Sequence, residues 1–344
     1  MIKIGIWNTA FLGDAILTLP LLHSVSQAYP EAELHFFVRK GVDSLFTAQP
    51  ELTSVRGFDK RGKEKGLRGA YRLGRSLAQE GFDLWISPHT SLRSGLIARW
   101  TSASRRIGYN SPWFNNWLYT HTVDRAFDQL EEIERLGKLL EPLSIPSTTK
   151  PTLVLPPQAR VRARNFFADI DAPTLGIHPG STWPTKQWPL EYFASVMRSA
   201  ADAGIHVLLF AGPDEVHLAE EVLRLSGVSP DSGQVSNLAG QLSLPELGAY
   251  IAGVDCYLSG DSGPMHLAWV QGTPLVAIFG PTVRELGFFP RGQHSTVLEN
   301  PLDCRPCSLH GPRQCPKGHH DCMRGITPDA AWDAVRTTLE QTRG

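Results

Sequence analysis

Two kinds of apolar pattern alternate along the chain. Short unbroken runs, many of them β-branched, are separated by longer stretches in which apolar residues recur every three or four positions. The runs read as strands buried on both faces and the stretches as helices that cover them. In the first half the runs fall at 2–7, 33–38, 83–87 and 105–109, with helical stretches at 15–28, 94–100 and 127–143. In the second half the runs fall at 174–178, 206–210, 254–258 and 274–279, with helical stretches at 190–201, 216–225, 244–252 and from 263 onward. Strands that alternate with helices imply parallel sheets. Residues 142–157 hold five prolines and a Ser-Thr-Thr run, the best linker in the chain. The expected division is an α/β domain over 1–150, a second over 151–326, and a final helix within 327–344 that packs back toward the first domain.

Composition narrows the class. The 344 residues are 42% apolar and 19% charged, with a formal net charge of −1, the profile of a soluble globular protein without a global nucleic-acid signature. No apolar run reaches membrane-span length, and the N-terminus reads as a first strand, not a signal peptide. A cytoplasmic location with reduced thiols is the expectation. Residues 56–75 stand out: eight are basic against Asp59 and Glu64, and the glycines at 57, 62, 66 and 69 suggest a mobile loop running into a helix. Such a run is either a solvated face or a site for an anionic acceptor or lipid headgroups.

Two strand–turn–helix junctions carry candidate chemistry. The first is Gly13-Asp14, after the first strand; Asp14 is either an N-cap or a carboxylate facing a crevice at the sheet edge. Pro20 should disturb the start of the helix that follows. The second is Gly260-Asp261-Ser262-Gly263, where a helix start offers N–H groups and a positive dipole end to an anion, unless Asp261 and Ser262 merely cap it. In a parallel sheet the loops after 178, 210, 259 and 279 share that second edge. They bring Gly180, Ser181, Thr182, Lys186, Glu215, Asp261, Ser262, Gly263 and His266 together. Lysine, hydroxyls and a helix N-terminus suit a diphosphate, a carboxylate such as Glu215 suits ribose hydroxyls, and Leu242 offers an apolar surface to a base. Neither a dinucleotide fingerprint nor a P-loop is present.

These residues are similar to those of the lipopolysaccharide heptosyltransferases. The resemblance rests on Leu12-Gly13-Asp14-Ala15-Ile16-Leu17-Thr18-Leu19-Pro20, His178-Pro179-Gly180 with Lys186-x-Trp188-Pro189, Gly260-Asp261-Ser262-Gly263-x-x-His266-Leu267-Ala268, Gly280-Pro281-Thr282 and a cysteine-rich tail. It implies a GT-B fold, two facing Rossmann-like domains with parallel sheets and a cleft between them. It also implies inverting transfer of L-glycero-D-manno-heptose from ADP-heptose to the inner core of lipopolysaccharide, in a Gram-negative cell. Asp14 would be the general base and Lys186 would neutralise the departing diphosphate, without a metal. Gly13, Gly180, Ser181, Thr182, Lys186, Glu215, Leu242, Asp261, Ser262, Gly263 and His266 would line the donor site. Arg61, Lys63 and Lys65 would contact the anionic acceptor, either Kdo-lipid A or the heptosylated core; the tail inclines the choice to the second heptosyltransferase. A monomer touching the cytoplasmic face of the inner membrane, with no nucleic-acid partner, completes the expectation.

Cys304, Cys307, Cys315 and Cys322 lie in that tail, and Cys304-x-x-Cys307 has zinc-ligand spacing, so the four read either as a structural zinc site or as reduced thiols in a tight loop. Cys256 reads as core. Three competing functions remain: another GT-B glycosyltransferase, a sugar-nucleotide epimerase, and a nucleotide-sugar-binding protein without turnover. A transferase needs an acceptor-side base, which Asp14 supplies; an epimerase needs its acid–base set around the donor sugar.

Overall fold

Ile4, Ile6 and Trp7 are fully buried, and the strand they occupy lies inside a sheet with a parallel neighbour on each side. The computed structural model describes residues 1–343 and divides into two units, 1–155 and from 156 onward. The division falls inside the proline-rich linker, five residues beyond the boundary expected from composition.

The first unit holds β1 (Lys3–Asn8), β2 (Glu33–Arg39), β3 (Ser54–Phe58), β4 (Leu84–Ser87), β5 (Arg105–Tyr109) and β6 (His121–Val123) in the order β3-β2-β1-β4-β5-β6. The second holds β7 (Thr174–His178), β8 (His206–Leu209), β9 (Val235–Asn237), β10 (Cys256–Gly260), β11 (Leu275–Phe279) and β12 (Ser295–Glu299) in the order β12-β11-β10-β7-β8-β9. Every pairing is parallel. Both orders are the doubly wound arrangement: the chain moves outward from β1, or β7, in one direction and then returns to build the other way. Strands β3, β6, β9 and β12 are not apparent in the sequence, since each is part-exposed and lies at the edge of its sheet.

Aromatic rings pack the first core: Trp7 lies 4.9 Å from Phe58 and 5.9 Å from Trp85, and Phe37 lies 5.0 Å from Trp85. In the second unit Trp188, Phe193, Met197, Ile177 and Leu258 share a core with Ala331, Val335 and Leu339 of the final helix, Pro328–Arg343. That helix buries its apolar face on the second unit. Among the described residues no helix is long and apolar enough to cross a membrane.

Three local expectations are corrected. The helix expected at 15–28 is two, Leu12–Leu17 and Leu19–Ala28, broken at Thr18 because Pro20 has no N–H to continue the ladder. The helix expected at 127–143 shrinks to Glu132–Lys138 with a single turn at Glu141–Leu143. Residues 56–75 are not a loose loop. Arg56 belongs to β3 and pairs with Glu80 through two 2.6 Å contacts. The following turn is knitted by Asp59, which accepts from Gly62 N and Lys40 Nζ, and by Glu64, which accepts from Asp59 N. A helix, Gly66–Gln79, then begins.

Candidate active site

In a doubly wound sheet, ligands sit where the strand order reverses, beyond the carboxyl ends of the two strands there. In the second unit those strands are β7 and β10. The loop after β7 ends in a single turn, Pro184–Lys186, which buries the Lys186 side chain. Its Nζ lies 2.5 Å from Asp261 Oδ2, just after β10, and Thr282 Oγ1, after β11, donates to the same oxygen at 2.7 Å. Asp261 therefore does not cap the helix that follows. Ser262 holds the N-cap position of Gly263–Gln271 without a side-chain cap bond, its Oγ instead meeting Ser259 Oγ at 3.2 Å. The first-turn N–H groups, to which Pro264 contributes none, and the dipole end stay available beside a buried ammonium, an arrangement suited to a diphosphate.

His266, in the first turns of that helix, is buried with Nδ1 unpartnered. Burial pushes its pKa down to about 4, Asp261 opposes and Lys186 reinforces, so the ring is neutral near pH 7. His178, the last residue of β7, places Nε2 3.7 Å from Glu215 Oε2, and this histidine holds the Glu215 carboxyl below its usual range. Gly180 passes so close to Glu215 that a Cβ there would lie 2.3 Å from Oε2. Ser181 is buried and accepts through its carbonyl from Gln187 Nε2 at 3.1 Å, whereas Thr182 is exposed and Leu242 half-buried.

The cysteine-rich tail braces these loops. Arg305 donates to the carbonyl of Gly280, to Thr282 O at 2.8 Å and to Asn300 O at 2.8 Å, and pairs with Glu299 at 2.9 Å. His320 Nε2 meets Thr185 O at 2.8 Å, Thr185 Oγ1 donates to Pro312 O, and Trp183 stacks on His310. The four tail thiols are close enough for Cys304, Cys307 and Cys315 to raise the Cys322 pKa, behind the larger effect of burial. Burial also pushes the Cys315 thiol up, but N–H groups of residues 317–320 facing its sulfur reverse the sign. Among the described residues no group of three or more His, Cys, Asp or Glu side chains is arranged to hold a metal ion.

In the first unit the order reverses between β1 and β4. Asp14 occupies the third position of the short helix Leu12–Leu17, not the N-cap, and its Oδ2 accepts from Phe11 N at 3.0 Å. Its carbonyl is held by Asn8 Nδ2 and Thr18 Oγ1. The carboxyl is half-buried, and its pKa is raised to about 6. Burial is the main cause and the Glu132 charge the second; the Phe11 N–H and Arg125 pull the other way. Glu132 comes from the helix Glu132–Lys138, which packs on the Asp14 helix, and is itself buried between Arg125 at 2.7 Å and Arg135 at 3.1 Å. Gly13 is buried beside Asp14, in the unit that does not contain the other expected donor residues.

After β4, His89 Nδ1 meets Ser94 Oγ at 2.8 Å and Thr9 Oγ1 at 3.2 Å. Burial pushes its pKa down to about 4, with Lys60 and Arg93 adding to the effect. Lys60 is in turn lowered by its own burial and by Arg39, Arg93 and Arg61. Arg61 thus belongs to a cationic group at this edge, while Lys63 and Lys65 are exposed on the same turn. Thr282, His178, Arg305, Lys60, Arg93, His89 and the Glu132–Arg125 pair are absent from the sequence-derived site. Of these, Thr282 and His178 fall in the quoted motifs and Lys60 in the basic stretch, so each had a local signal.

A model of glycosyltransferase family 9 (heptosyltransferase) matches residues 70–316. The lipopolysaccharide core heptosyltransferase OpsX of Haemophilus influenzae is 26% identical, with 78% of this chain and 76% of that one covered. Two solved structures share the fold. The glycosyl transferase family 9 protein of Veillonella parvula has a TM-score of 0.85 at 21% identity, covering 98% of this chain and 97% of that one. The ADP-heptose lipopolysaccharide heptosyltransferase II of Escherichia coli has a TM-score of 0.81 at 21% identity, with both chains fully covered.

Proposed function

The chain belongs to glycosyltransferase family 9, the heptosyltransferases, and on that footing we propose that it moves L-glycero-D-manno-heptose from ADP-heptose to the inner core of lipopolysaccharide with inversion. The observation that carries the proposal is the partition of chemistry between the units. A carboxylate with its pKa lifted to about 6 by burial and by Glu132 stands in the first, and a buried lysine stands beside an uncapped helix start in the second.

The reaction follows from those groups. Above pH 6 or so Asp14 is ionised and takes the proton of the acceptor hydroxyl as its oxygen attacks the anomeric carbon. The bond from that carbon to the β-phosphate oxygen breaks, and the electron pair leaves with ADP. Lys186 and the N–H groups of Gly263–Gln271 meet the growing diphosphate charge. Ser181, Thr182, Ser262, Gly263 and His266 bind the donor, Glu215 takes the ribose hydroxyls and Leu242 the base. Arg61, Lys63 and Lys65, joined by Lys60 and Arg93, steer the anionic acceptor.

This scheme uses no metal. A structural zinc on the four tail thiols would require them to rearrange, since as they stand they are not arranged to hold a metal. Metal analysis of untagged protein tests this, and less than about a tenth of an equivalent of metal would end it. The enzyme acts as a monomer at the cytoplasmic face of the inner membrane. The deciding assay for the main proposal is ADP release from ADP-heptose against a panel of truncated lipopolysaccharide cores. Release without any acceptor requirement would overturn it.

A further inference from the structure

Among the described residues nine large apolar side chains are substantially exposed, and five of them sit close together in the sequence of the first unit: Leu67, Tyr71, Leu92, Trp113 and Trp117. They belong to three successive segments, the helix Gly66–Gln79, the helix Leu92–Trp100, and residues 110–118 with the short helix Asn115–Leu118. The segments pack on one another in turn. Tyr71 meets Trp100 edge to face at 5.2 Å, and Gly95 lets Leu118 approach the middle helix. Trp113 is 71% exposed and Trp117 78%, and the two indoles meet each other at 5.9 Å, nearly perpendicular.

Charge on the same segments is one-sided. They carry Arg68, Arg72, Arg75, Arg93 and Arg99 and not one aspartate or glutamate, in a chain whose net charge is −1. Two exposed indoles and uncompensated guanidiniums on segments that pack together do not suit a second copy of the same surface, which would bring like charges together. They suit an interface that is anionic outside and apolar a few ångströms deeper, where Trp and Tyr rings lodge at headgroup level and arginines meet phosphates.

We propose that this three-segment face docks the enzyme on an anionic phospholipid bilayer, with Trp113 and Trp117 entering the headgroup layer and Arg68, Arg72 and Arg75 binding lipid phosphate. The proposal rests on the reading of the acceptor as a lipid-anchored saccharide, which the first unit would then meet at the surface where it resides.

The test is flotation of the full chain with vesicles of phosphatidylethanolamine and phosphatidylglycerol, beside vesicles of phosphatidylcholine alone. The protein is expected to float with the anionic vesicles and to be released by salt. Replacing both tryptophans (Trp113→Ala with Trp117→Ala) should weaken partitioning about tenfold. Each reversal, Arg72→Glu or Arg75→Glu, should weaken it about fivefold. Circular dichroism checks that each variant folds. The double tryptophan variant is also assayed on acceptor stripped of its acyl chains, where its kcat/KM should match the parent's, and on intact acceptor in anionic vesicles, where it should fall. Failure of the parent to float with anionic vesicles overturns the docking surface. Unchanged flotation of the variant with a loss on stripped acceptor overturns it too, marking the indoles as a saccharide platform. Flotation as expected with no transfer to either acceptor would leave the docking face standing and fail the proposed reaction instead.

Discussion

Lys186 places its ammonium 2.5 Å from the Asp261 carboxylate, and both side chains are buried. A buried pair of this kind is sensitive to the loss of one partner, which strands the other charge out of water at about 3–5 kcal/mol. Lys186→Ala is expected to lower the melting temperature sharply and to cut turnover by about 10²–10³-fold, because the departing diphosphate loses its cation. Adding Asp261→Asn should restore much of the stability and none of the turnover. Thermal melts alongside single-turnover rates separate the two effects; a double variant that recovers both would remove Lys186 from the chemistry.

Asp14 ties rate and stability to pH in opposite directions. Its folded pKa of about 6 stands above the ordinary 3.8, so the folded state binds the proton more tightly than the unfolded chain. The stability it contributes is complete below about pH 4 and is lost as pH rises through about 6. The full shift corresponds to about 3 kcal/mol, and partial solvent access reduces it to about 1–2 kcal/mol. Asp14→Asn should therefore unfold at higher urea concentration than the parent at pH 8 and at the same concentration near pH 4, while losing transfer and keeping ADP binding. In the parent, kcat/KM should fall with acid below about pH 6. Glu132→Gln should move that inflection acidward part of the way, since burial, the larger cause, remains.

Gly180 and Glu215 leave no room for a methyl group between them. Gly180→Ala should displace the carboxylate and raise the donor KM about tenfold, with the acceptor KM unchanged. In a Glu215→Ala background the same change at 180 should have little further effect, so a double-mutant cycle reads the coupling directly.

Arg305 satisfies three carbonyls and a carboxylate with one planar group, which an ammonium cannot span. Arg305→Lys should cost about 2–4 kcal/mol and lower the melting temperature by several degrees. It should also weaken ADP binding, because the Thr282 loop loses its brace. Calorimetry with ADP measures this; a variant with parental affinity would confine Arg305 to stability.

The gathering of Lys186, Asp261 and their neighbours was largely legible in the sequence because its parts are local. A buried run, a small polar turn and a helix start identify themselves, and the parallel order then gathers the turns on one edge. Asp14 was legible as a position but not as a chemical state, since Glu132, on a packed helix, and Arg125, in a loop, come from more than a hundred positions away in the chain. The stretch 127–143 misled because its spaced apolar residues match a helix, whereas the chain spends 127–131 in turns and the Arg135 side chain, through Nη2, fixes the Phe127 carbonyl. Glycines at 57, 62, 66 and 69 suggested mobility for the basic stretch, yet Asp59 and Glu64 tie the turn to itself, which composition alone does not reveal.

The close passage of Gly180 under Glu215 also has a consequence on an evolutionary scale. A side chain at 180 must push the Glu215 carboxylate aside, so where the glutamate keeps its place glycine is favoured opposite it, and changes at the two positions should tend to appear together across related sequences.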